Sequence, residues 1–86
     1  TAIFNLALVN EEMGNKNAAI ELYKNAIKYD QNNLGLYYNL SRIDESFFNK
    51  NNINSVKNIL KNEKNSNFNK SSGFFILAQD ERKKKI

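Results

Sequence analysis

The chain has no cysteine, no histidine, no proline and no tryptophan, and only three glycines. Without cysteine there can be no disulfide and no thiolate metal site. Without histidine the commonest metal ligand and the commonest general base are both missing, so neither a metal nor a cofactor is expected. Scarcity of proline and glycine favours long helices with brief breaks. No apolar run approaches the roughly 18 residues that a membrane span requires, so no membrane partner is expected. The opening TAIFNLALVNEE has neither a basic leader nor a cleavage pattern, which points to a cytoplasmic location. The start at Thr1 and the end in RKKKI read as those of a fragment or a processed segment.

What is present is mostly helical material for one domain of 86 residues. A chain this short buries about 60–65% of its unfolded surface, so its core is thin. Asparagine occurs 17 times, lysine 11 and isoleucine 8. These three share A- and T-rich codons, so most asparagines are expected to be solvated stand-ins for Asp, Ser or Lys. The net charge of +4 equals the four cations Arg82, Lys83, Lys84 and Lys85, which leaves the rest balanced.

Apolar residues recur at three- and four-residue steps in five stretches. Segment 3–14 carries Ile3, Leu6, Ala7 and Met13 and ends at Gly14. Segment 18–30 carries Ala19, Leu22, Tyr23, Ala26 and Ile27. Segment 34–48 carries Tyr37, Leu40, Ile43 and Phe47, and 49–52 reads as a turn. Segment 53–63 carries Ile53, Val56, Ile59 and Leu60. A polar linker over 64–70 then leads to a fifth helix over 71–85, with Phe74, Phe75, Leu77 and Ala78. No segment alternates with period two for long enough to compete as a strand. The expected class is all-α, with five helices packed as antiparallel neighbours.

The helices also resemble one another. Ile3-x2-Leu6-Ala7 is followed by Gly14, Ala19-x3-Tyr23 and Ala26; Tyr37-x2-Leu40-Ser41 and Phe74-x2-Leu77-Ala78 repeat the opening. Ile3 and Tyr37 lie 34 residues apart, Tyr37 and Phe74 lie 37 apart. This pattern resembles the tetratricopeptide (TPR) family, whose repeat of about 34 residues is a helix-turn-helix. The resemblance implies an α-solenoid of antiparallel hairpins, about two and a half repeats long. Residues 1–33 form the first repeat, 34–65 a divergent second, and 66–86 a linker with the first helix of a truncated third. The departures are Asn10 where the family has Tyr, Gln31 where it has Pro, and Ser55-x3-Ile59 in place of the Ala-x3-aromatic pair. Ile3, Leu6, Ala7, Gly14, Ala19, Tyr23, Ala26, Tyr37, Leu40, Phe74, Leu77 and Ala78 take the packing positions. A narrower likeness, at Tyr37, Leu40, Ser41, Arg42, Phe75, Leu77 and Ala78, is to the TPR region ahead of the sulfotransferase domain in some bacterial proteins. No phosphate-cradling loop for such a transferase occurs in these residues.

Chemistry-bearing motifs are few. Glu11-Glu12 and Asp44-Glu45 are adjacent carboxylates that point about 100° apart on a helix, so they read as solvated helix ends rather than an acid–base pair. Arg82–Lys85 fits a solvated helix end that complements the macrodipole better than a nucleic-acid contact. Asn39-Leu40-Ser41 and Asn69-Lys70-Ser71 match the glycosylation pattern by chance in an Asn-rich chain.

In the TPR family first helices line the concave surface. The resemblance therefore implies a partner-binding row of Phe4, Leu8, Tyr38, Arg42 and Glu45. Tyr38 fits a groove or packing between repeats equally, and Phe75 fits packing better. Some TPR domains hold a peptide carboxylate with Lys and Asn at the offsets where this chain has Phe4 and Leu8, so that clamp is not expected. The expected function is a non-catalytic scaffold that offers its concave face to a protein or peptide segment, or to its own downstream domain. The alternative is the accessory region of a sulfotransferase whose catalytic domain follows residue 86.

Overall fold

The computed structural model describes residues 2–85. Those residues form α1 (Ala2–Glu12), α2 (Lys16–Tyr29), α3 (Leu34–Ile43), a 3-10 turn (Glu45–Phe47), α4 (Lys50–Leu60) and α5 (Asn67–Lys84), with no strand among them.

Local chemistry sets the boundaries. α1 stops because Gly14 takes a left-handed φ of 81°, which an L side chain resists. The Asn15 amide then donates to the Asn10 carbonyl at 2.8 Å and the Gly14 amide to Glu11 at 3.1 Å, the paired bonds of a Schellman ending. Asn33 caps α3, its side-chain oxygen accepting from the Gly35 amide at 3.0 Å. Asn49 caps α4 through the Asn52 amide at 2.9 Å, and Ser66 caps α5 through the Asn69 amide at 3.1 Å.

Three expected segments move. The helix expected over 34–48 ends at Ile43, because Asp44 turns extended and its Oδ1 accepts from the Ser46 amide at 3.1 Å and the Ser46 hydroxyl at 2.6 Å. A short acidic side chain competing with the backbone in this way is a common helix stop. The expected turn at 49–52 is instead the capped start of α4. The expected linker is helical from Asn67, because Ser66 supplies the cap. Asn69 fixes that first turn to the α2–α3 loop. Its Oδ1 accepts from the Leu34 amide and its Nδ2 donates to the Asn32 carbonyl and to Asn65 Oδ1, each at 2.8 Å. Asn33, Asn49, Asn65 and Asn69 thus carry structural hydrogen bonds, Asn49 from an exposed position.

α1 packs on α2, α2 on α3, α3 chiefly on α5, and α5 on α4; α3 touches α4 only lightly. Ala7 and Ala19, both fully buried, keep the α1–α2 seam narrow. Tyr23, Phe47, Leu34, Ile76 and Val56 are the largest fully buried side chains. Each contributes about 1.5–3 kcal/mol relative to exposure. α5 comes close to α3 and α4 at Gly73, where an added Cβ would lie 2.8 Å from both Leu34 Cδ1 and Leu60 Cδ2.

The face that α5 buries differs from the expected one. Phe74 and Ala78, expected at packing positions, are exposed, as is Leu6 on α1. α5 instead buries Ser72, Gly73, Ile76 and Asp80, with Leu77 partly buried against the core. This rotation places Gly73 against Leu34 and Leu60 and leaves the larger Phe74 on the outside. Ala7, Ala19, Tyr23, Ala26, Tyr37 and Leu40 are buried, Ile3 is half-buried, and Gly14 is exposed in its turn.

Candidate interaction site

Two features meet where α1, α2, α3 and α5 converge. One is a chain of polar contacts. The Tyr23 hydroxyl of α2 donates to Glu11 Oε1 of α1 at 2.9 Å. The Arg42 guanidinium of α3 grips the same carboxylate with both terminal nitrogens, at 3.0 and 3.3 Å, and donates to Asn39 Oδ1 at 2.9 Å. It also lies 5.9 Å from the centre of the Tyr38 ring, whose neighbour Phe75 of α5 meets it edge-on at 5.2 Å. Arg42 therefore ties α3 to α1 directly, and Glu11 carries the link on to Tyr23 of α2. Burial pushes the Tyr23 phenol up to about 12, assisted by its hydrogen bond to Glu11 and by that residue's negative charge, while Arg42 opposes the shift. Burial also raises the pKa of Tyr37.

The other feature is an apolar groove of about 760 Å³. α1 gives it Ile3 and Phe4, α2 gives Ala26 and Tyr29, α3 gives Gly35 and Leu36, and α5 gives Phe68. Asp30, Asn33 and Asn39 are its polar lining. Phe68 and Tyr29 are 70% and 83% exposed, so two aromatic rings stand open to an incoming group. Phe4 is half-buried, its ring 6.1 Å from that of Tyr23. Asn39 joins the two features. It lines the groove, accepts from Arg42, and donates to the Gly35 carbonyl at 2.9 Å.

The expected row of five is split by this geometry. Phe4 lines the groove, while Tyr38 and Arg42 belong to the polar chain that Asn39 joins to it. Leu8 is half-buried against the core. Glu45 sits exposed on the 3-10 turn, apart from the other four, because Asp44 ends α3 before it. Glu11, expected as a solvated helix end, is the centre of the polar chain. Tyr29, Leu36, Asn39 and Phe68 were not singled out by periodicity. Phe68 lay inside the expected linker, and the Ser66 cap is the sequence signal that would have placed it on a helix. The Asn39 and Asn69 amides of the two glycosylation patterns are both engaged in hydrogen bonds.

Among the described residues, no helix is long and apolar enough to cross a membrane. No family model, no curated protein and no solved structure matches this chain.

Proposed function

We propose that this chain is a non-catalytic interaction module of the TPR type, whose groove takes an apolar-anchored segment of a partner protein or of a downstream domain of its own polypeptide. The observation that carries the proposal is the groove, an apolar recess of about 760 Å³ with polar residues in its lining and two exposed aromatics. That composition suits an anchor side chain entering an apolar pocket, with its backbone held by amides and a carboxylate around it. Support for the TPR reading comes from the 34-residue spacing of Ile3 and Tyr37, from the small Ala7 and Ala19 at the α1–α2 seam, and from the all-helical order. The sulfotransferase-associated reading concerns which polypeptide carries the module, not what the groove does.

A peptide-display selection on the immobilised chain tests this function. Selected peptides should carry aromatic or aliphatic anchors. Their binding should weaken by about 2 kcal/mol in Phe68→Ala, a typical anchor-residue loss. Lys24→Ala with Lys28→Ala, on exposed positions of α2, should leave affinity unchanged. Loss at the α2 pair with none at Phe68 would sink the proposal.

A further inference from the structure

The net charge is not spread evenly. Residues 1–43 carry four cations and four anions, whereas residues 44–86 carry nine cations and five anions. The fold gathers part of that excess around a second recess, between α4 and the last turns of α5. This cleft, of about 370 Å³, is lined by Phe48, Ile53, Lys50, Lys57, Asp80 and Lys84, with Asn49 and Asn54. Lys50 and Lys57 lie seven residues apart on α4, about two turns, so both reach the same side of the helix. Lys83 stands 4.8 Å above the Phe48 ring. Lys84 pairs with Asp80 at 3.2 Å and with Glu81 at 3.6 Å. Lys50, Lys57 and Lys83 have no ion-pair partner among the described residues.

We propose that this cleft is a second docking site, distinct from the apolar groove, for a short acidic peptide segment in which an apolar side chain is flanked by Asp or Glu. Phe48, half-buried, and the largely buried Ile53 supply the apolar part of the lining, against which an aliphatic side chain can rest. The unpaired lysines around it are flexible point charges that meet carboxylates over a range of angles. Asp80 is only 8% exposed and already neutralised by Lys84, so it offers an acceptor to a peptide N–H. A single-strand nucleic-acid site needs an aromatic face on which a base can stack. Phe48 offers no open ring face for that, because Lys83 lies over its ring and Phe47 meets it edge-on at 5.4 Å. Charge complementarity therefore selects an anion, and the lack of an open ring for stacking favours a polypeptide over a nucleic acid.

The test is fluorescence anisotropy with the full chain and a labelled peptide of alternating Glu and Leu. Controls are the same peptide with Gln for Glu, and an oligothymidine competitor. The acidic peptide should bind, weaken as salt rises, and lose about tenfold or more in affinity in the Lys50→Glu, Lys57→Glu double variant. Phe68→Ala, in the other site, should leave its affinity unchanged. Should the double reversal perturb folding, Lys57→Gln at an exposed position should still weaken binding, by about two- to threefold, with an unaltered far-UV circular dichroism spectrum. Equal affinity for the Gln peptide, or an unchanged affinity in Lys57→Gln, would overturn the proposal. Tighter binding of oligothymidine than of the acidic peptide would also overturn it and make the cleft a nucleic-acid site.

Discussion

Ionising Tyr23 should weaken the fold, and the size of the effect follows from its surroundings. The ring is fully buried and its hydroxyl donates to Glu11 at 2.9 Å. Loss of the proton removes that donor and sets a phenolate beside a carboxylate. The group accordingly titrates near 12, against an ordinary 10.0. Between those values the unfolded chain has released this proton and the folded chain still holds it. The folded state binds more protons, so stability falls as pH rises through the window. The contribution is complete below pH 10 and gone above about 12, and two units correspond to about 2.7 kcal/mol. A domain of 86 residues has a total stability of about 4–13 kcal/mol, so the loss is a large share. Tyr23→Phe removes the hydrogen bond at every pH, costing about 1 kcal/mol, with Glu11 still held by Arg42. Its stability should then fall by about 2.7 kcal/mol less than that of the unaltered chain across the window. Urea midpoints followed by circular dichroism at a series of pH values measure the difference. Parallel pH profiles for the two proteins would refute the reasoning.

Other substitutions probe the remaining contacts. Arg42→Ala should cost under about 1 kcal/mol in urea denaturation, because the Arg42–Glu11 pair is 38% and 22% exposed and solvent screens it; a loss of several kcal/mol would mean the pair is effectively buried. Asn69→Ala should cost about 1–3 kcal/mol, since it leaves the Leu34 amide and the Asn32 carbonyl without this partner, whereas the exposed Asn67→Ala should be near neutral. Equal effects of those two changes on the urea midpoint would contradict the clamp. Ala19→Leu should cost about 1–3 kcal/mol by overpacking a fully buried seam, and Asn17→Leu at an exposed position should be tolerated. In melting temperature that gap is at least about 4 °C, and its absence would mean the seam can open.

How much could be read from the sequence differs between the two halves of the chain. α1 and α2 follow apolar periodicity, and their expected limits differ from the observed ones by only a residue or two. Gly14 is legible because one glycine between two periodic stretches has few other uses. Beyond Ile43 the controlling residues are small and polar, and periodicity does not weigh them. Asp44 ends a helix that Phe47 seemed to extend, and Ser66 with Asn69 begins one where composition read as linker. The rotation of α5 was hidden for a related reason. Size argued for burying Phe74, but α5 turns Gly73 toward Leu34 and Leu60 instead. The groove was half legible: Phe4 falls on the expected row, but Tyr29 and Phe68 reach it through tertiary placement alone. The Glu11–Arg42 pair spans 31 residues and has no local sequence signal.

The proposed partner-binding surface is the groove between α1, α2, α3 and α5. Its most direct measurement is a nuclear magnetic resonance titration of the isotope-labelled chain with a peptide selected on it. Chemical-shift changes should concentrate at Phe4, Leu36, Asn39 and Phe68, and leave Lys24 and Lys28 unmoved. Changes confined to Lys24 and Lys28, with the four groove residues and Tyr29 silent, would contradict that assignment.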